Sequence, residues 1–186
     1  KYFQGAITAA KMGQNITQNR APYFLSDDDI ASVAANALGK YSSSLRRPAP
    51  ANTLVIISDF LQNIGISVAK LNSTGVVDAL GKKLMQWYLV DFFANGTTMQ
   101  QANNNAMSVM NVIPLNSTQR DEVYMTVLNK AASNFMKNGF MTDSEEQLIN
   151  TYTNYLGLSI SDLPSSFANT DLEKISQAMV LKDLEK

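Results

Sequence analysis

The side chains that could do chemistry come in small acidic groups. Asp27-Asp28-Asp29, Asp121-Glu122 and Glu145-Glu146 set carboxylates side by side, as a bound cation or an acid–base pair would require. Each group also stands near the start of an apolar-periodic run. A helix dipole favours negative charge there, so first-turn placement accounts for all three. The stretch Asn134–Glu145 has the outline of a calcium loop, with Gly139 sixth and Glu145 twelfth. Its first, third and fifth positions are Asn134, Met136 and Asn138. A thioether is no ligand for a hard cation and no carboxylate stands in the first half, so a capped helix turn is expected in place of a metal site.

Other chemistries are missing at the level of residue type. The 186 residues contain no cysteine and no histidine. Thiolate nucleophiles, disulfides and sulfur metal sites are thereby excluded, as are the commonest general base and the usual imidazole ligand. Ser–Lys chemistry remains open, but no single pair stands out, and no glycine-rich phosphate loop is present. The expectation is a chain that is not an enzyme and takes no cofactor and no metal. A net charge of −1 gives a polyanion nothing to bind, so no nucleic-acid partner is expected. Charged residues make up 17%, against roughly 25% in average soluble domains, and Asn, Ser, Thr and Gln fill the gap. That uncharged polar surface points to export, periplasmic or secreted, with the cytoplasm as the alternative.

The elements that must position any site read as helices throughout. Leu80–Phe93 is apolar on nearly every face and carries the one tryptophan, Trp87, so it is expected to be a buried central helix spanning 74–95. It is too short and too interrupted to cross a bilayer, which takes roughly 20 apolar residues, so the chain is not expected to be transmembrane. Around it the sequence predicts an all-α, single-domain helical bundle of about seven or eight helices, built from two or three helical hairpins. Residues 1–5 read as the remnant of a tag and 6–25 as an arm or tether; the helical domain runs over 26–186. Ser26 with the three aspartates starts a helix that reaches Tyr41. Arg46-Arg47-Pro48-Ala49-Pro50 forces a turn. Asn52 or Thr53 caps a helix from Leu54 to Lys70, which Gly65 can end early. A last helix, 170–184, follows Thr170 and Glu173.

Two stretches share one punctuation. Leu71-Asn72-Ser73-Thr74 and Leu115-Asn116-Ser117-Thr118 each open a helix. Asn95-Gly96 and Asn138-Gly139 each close one, and Thr98 with Gln101 and Thr142 with Glu145 restart the chain as capping boxes. This divides the domain into hairpin units 26–70, 71–114 and 115–158. The segment Asn138–Glu145, followed by Leu156-Gly157-Leu158, resembles the helix–turn–helix of tellurite-resistance TerB-like domains. The acidic residue usual before that glycine is Asn138 here, and no function is carried over. Asn15, Asn72, Asn95 and Asn116 head glycosylation sequons, which chance supplies readily in so Asn-, Ser- and Thr-rich a chain.

Methionine is the residue left to explain. Met99, Met107, Met110, Met136 and Met141, with Tyr152 and Tyr155, are the candidate lining of an adaptable groove for a protein or peptide partner. The expected function is a non-enzymatic interaction module, an exported accessory subunit of a cell-envelope or secretion assembly, with self-association into a homodimer left open. The alternative is a small-molecule or lipid carrier with an apolar cavity between its helices.

Overall fold

A computed structural model describes residues 26–159. The chain is an all-α helical bundle, and among the described residues there are seven α-helices and two 3-10 turns. In order these are α1 (Asp27–Ser44), α2 (Thr53–Asn63), α3 (Val68–Leu71), the 3-10 turn Asn72–Thr74, α4 (Val76–Ala94), α5 (Met99–Val112), α6 (Ser117–Phe135), the 3-10 turn Met136–Asn138 and α7 (Asp143–Leu156). The expected arm 6–25 and last helix 170–184 lie outside the described residues. No single helix among those described is long and apolar enough to cross a membrane.

The helices pack into two compact units that interleave in sequence. Of the described residues, 26–87 with 107–115 form the first, and 88–106 with 116–159 the second. The hairpin 115–158 thus falls almost whole within the second unit, whereas 71–114 is shared, with α4 and α5 each giving residues to both. No residue from Leu80 to Phe93 is exposed, and even Lys82, Gln86 and Asp91 are half-buried. This is the burial that the nearly uniform apolar character of the stretch predicts.

In the first unit α1 starts on a complete capping box. Ser26 Oγ accepts the Asp29 N–H at 3.1 Å, and the Asp29 carboxylate accepts the Ser26 N–H at 3.1 Å. The Ser26 hydroxyl also donates to that carboxylate, at 2.7 Å, and this bond first, with the one from the Ser26 N–H, holds the Asp29 carboxyl below its ordinary value. Asp28 pairs with Lys70, joining α1 to α3. The acidic triplet therefore serves a cap and an ion pair. Ile30, Ala34, Leu38 and Tyr41 recur at helical spacing and are buried with Ile57, Phe60, Ile64, Leu71, Leu80, Leu84, Val109 and Ile113. The expected helix 54–70 is broken. It ends at Asn63, Gly65 takes a left-handed φ of 70°, and the chain restarts at Val68 under the Ser67 cap. Asn52 occupies the N-cap position of α2 without a side-chain bond. The buried Thr53 hydroxyl instead donates to the Pro50 carbonyl at 2.7 Å.

In the second unit Asn116 caps α6 and Thr142 caps α7, both in capping boxes with the residue three on. Asp121 and Glu122 lie a turn deeper in α6 than the sequence suggests, because that helix begins at Ser117. Asp121 answers Arg120 at 3.1 Å. Leu89, Phe92, Met99, Ala102, Val123, Val127, Leu128, Ala132, Ile149 and Tyr152 are buried.

The two Leu-Asn-Ser-Thr openings do the same work with different geometry. Asn116 Oδ1 accepts the N–H of Gln119, the third residue of α6, at 2.8 Å. Asn72 Oδ1 accepts the N–H of Asp78, the third residue of α4, at 3.1 Å from six positions away. The extra length is taken up by the 3-10 turn and by Gly75, whose φ is 76°. Both carboxamides thus satisfy a donor that a helix start leaves unpaired.

Candidate functional site

The α6–α7 connection holds the most exposed large apolar side chain among the described residues. Phe140 is 64% exposed, with Met136 and Met141 half-exposed on either side. Local sequence builds this turn. α6 ends at Phe135, Met136–Asn138 tighten into a 3-10 turn, and Gly139 N–H donates to the Met136 carbonyl at 2.9 Å. Gly139 then takes a φ of 84°, which a residue with a Cβ rarely adopts. Thr142 restarts the chain. Its N–H donates to Glu145 Oε2 at 2.8 Å, and its hydroxyl accepts the Glu145 N–H at 3.2 Å. The carboxylate at the twelfth position of the calcium-like loop is therefore engaged as half of a capping box. Among the described residues no three acidic side chains gather as a metal-ligating group. Met141 precedes the cap, where an apolar residue usually packs on the fourth helical position. That position is Glu146, so the usual apolar partner is missing from the sequence itself.

Behind the turn lies an aromatic cluster. Phe93 meets Phe135 edge-on with ring centres 6.1 Å apart, and Tyr152 at 5.0 Å; Phe92 stacks on Tyr152 at 6.4 Å. Such contacts add to the apolar burial of the rings. The Tyr152 hydroxyl donates to the Tyr124 carbonyl at 2.8 Å, linking α7 to α6. Burial pushes its pKa well above the ordinary tyrosine value, with a smaller push from Tyr124. Phe135, the last residue of α6, thus joins the exposed turn to a fixed aromatic base.

The candidate groove residues divide between the two units. Met107 and Met110 belong to the first and are half-exposed; Met99, Met136, Met141, Tyr152 and Tyr155 belong to the second. Met99 and Tyr152 are buried in the core, at 5% and 0% exposure, and present nothing to a partner. Met136 and Met141 flank Phe140 on one turn. Tyr155, at 47% exposure, stands near the far end of α7 from that turn. Phe140 is the residue that sequence reasoning passed over. Its signal was there: an aromatic directly after Asn-Gly, with Glu at the position that would otherwise cover its neighbour.

A second polar arrangement stands in the first unit. Lys83 Nζ donates to the Ser42 carbonyl at 2.6 Å and lies 5.0 Å from the centre of the Trp87 ring. Arg46 Nη1 donates to the carbonyls of Ser43 at 2.7 Å and Leu45 at 2.9 Å. Burial lowers the Lys83 pKa, and the Arg46 charge adds to the effect. The amine faces a carbonyl and not a hydroxyl, which is no geometry for Ser–Lys nucleophilic chemistry. Both cations satisfy carbonyls at the end of α1, where a helix favours positive charge.

Comparison with protein-family models, with curated proteins and with solved structures finds no match. The likeness of 138–158 to TerB-like domains therefore rests on a helix–turn–helix alone.

Proposed function

We propose that the chain is a non-enzymatic interaction module that holds a protein or peptide partner through the α6–α7 turn. The observation that carries this reading is the exposure of Phe140, at 64%, between two half-exposed methionines. An aromatic anchor with adaptable thioethers beside it is the chemistry of a partner contact. The turn is braced by a capping box on one side and an aromatic cluster on the other, so little ordering cost is left for binding. The low charged fraction of 17% supports an exported setting, as an accessory subunit of an envelope or secretion assembly.

The test is capture from envelope extract on immobilised chain, with Phe140→Ser and Val55→Ser compared. Val55 is 60% exposed on the first unit and serves as the control. Wild type and Val55→Ser should retain one and the same partner, and Phe140→Ser should lose it. Equal capture by all three would remove the turn from the interface. An apolar small molecule released on denaturation and seen by mass spectrometry would point to a carrier instead.

A further inference from the structure

We propose that Asn95 is a site of spontaneous succinimide formation, and that it reacts ahead of Asn138, the other asparagine followed by glycine. The reaction needs no enzyme. The backbone nitrogen of the following residue loses its proton and attacks the asparagine Cγ, the Cγ–Nδ2 bond breaks, and ammonia leaves. Water then opens the ring at either carbonyl, giving aspartate or isoaspartate. Water is the only co-reactant: an amide and water become a carboxylic acid and ammonia. Glycine favours the attack because no Cβ shields its nitrogen.

In residue type and local backbone the two sites are alike. Each Asn-Gly follows a helix, each asparagine is exposed, and each glycine is left-handed, at φ 66° for Gly96 and 84° for Gly139. Hydrogen bonding separates them. The Gly139 N–H is tied to the Met136 carbonyl at 2.9 Å, a bond that must open before the nitrogen can attack. The Gly96 N–H donates to no group among the described residues. The bonds that close α4 pass it by, running from Asn95 N–H to the Asp91 carbonyl at 2.9 Å and from Thr97 N–H to the same carbonyl at 3.4 Å. One contact works the other way. Asn95 Nδ2 donates to Asp91 Oδ1 at 2.8 Å and restrains the carboxamide, whereas Asn138 makes no such bond among the described residues. An exposed side-chain pair one helical turn apart is weaker than a backbone bond closing a turn, so the freedom of the attacking nitrogen decides.

The product changes the end of α4. A carboxylate at position 95 stands four residues from Asp91 at the negative end of the helix, where both the neighbour and the dipole disfavour it.

The experiment is incubation of the full chain in mildly alkaline buffer, followed by peptide mass analysis over time, with and without denaturant. The peptide containing Asn95 should gain about one mass unit, as NH2 is replaced by OH. It should do so about fivefold faster than the peptide containing Asn138, the factor that one backbone hydrogen bond corresponds to. In denaturant the two rates should converge. Asn138 reacting first, or a rate ratio that denaturant leaves unchanged, overturns the proposal. Asn95→Gln should abolish the early gain and leave the slow one as it was; an early gain that survives this change also overturns it.

Discussion

A methyl group built on Gly81 would lie 2.8 Å from the Ile113 Cγ2 methyl. Gly81 is buried in the second turn of α4, and Ile113 follows α5 with no exposed surface. The glycine is kept for space, not for backbone freedom. Gly81→Ala gains about 1 kcal/mol of helix propensity but meets a branched side chain fixed in the core. Overpacking of that kind costs about 1–3 kcal/mol, so the net effect is destabilising by about 1 kcal/mol. Urea unfolding of the variant checks it. Ile113→Val retains the offending methyl and should give no rescue, whereas Gly81→Ala should cost less in an Ile113→Ala background than in wild type.

Tyr152 should make the protein sensitive to alkali. Its folded pKa lies well above the ordinary 10.0, chiefly through burial. Burial also raises Tyr88 and Tyr124. Between the unfolded and folded values the native state keeps protons that the unfolded chain has lost. The stabilisation is therefore complete below pH 10.0 and falls away as pH rises above it. Lys70, raised by its hydrogen bond to Asp28 and by that residue's charge, adds to the loss, whereas Lys83 acts in the opposite sense, since its pKa is lowered from 10.5; it is one group against four. Tyr152→Phe should cost about 1 kcal/mol at neutral pH for the bond to Tyr124, and should flatten the alkaline loss of stability. Denaturant midpoints measured across that range decide the matter; an unchanged alkaline slope in the variant would assign the loss to the other tyrosines and Lys70.

At low pH the α1 cap should respond. The bonds from Ser26 lower the Asp29 pKa from 3.8, so their contribution is present above that value and is lost as pH falls through the folded value. Ser26→Ala should bring the Asp29 pKa back up, which carboxyl NMR titration would register directly.

Capping of α7 can be measured at neutral pH. Thr142→Ala removes the oxygen that accepts the Glu145 N–H and should cost about 1 kcal/mol. Thr142→Ser retains that oxygen and should cost far less.

Phe140→Ser should leave the unfolding free energy within about 0.5 kcal/mol of wild type, because the ring is mostly solvated. A large loss of stability would show that Phe140 packs in the native core.

Much of the architecture was legible because punctuation is local. The Ser26–Asp29, Asn116–Gln119 and Thr142–Glu145 boxes each lie within four residues, and so do the two Asn-Gly turns. The break at Gly65 was harder to place, because Ile64 and Ile66 continue an apolar run across it. Asn72 shows where letters mislead: its reach to Asp78 depends on the Gly75 turn, while the same four letters at 115–118 give a plain N-cap. The site was legible only in part. Tyr152 and Tyr155 stand three apart on α7, and helical spacing groups them together. What separates them is the ring pair Phe92 and Phe93, supplied to Tyr152 by a helix some sixty positions earlier.

The interleaved connectivity of α4 and α5 bears on how the chain can be dissected. A cut between Trp87 and Tyr88 would sever α4 within its buried stretch and leave the first unit without Val109 and Ile113. Those residues leave the ribosome after 88–106, the opening part of the second unit, so the first core cannot close until the second has begun. A fragment made for expression must therefore carry the chain through Leu115 to complete even its N-terminal half.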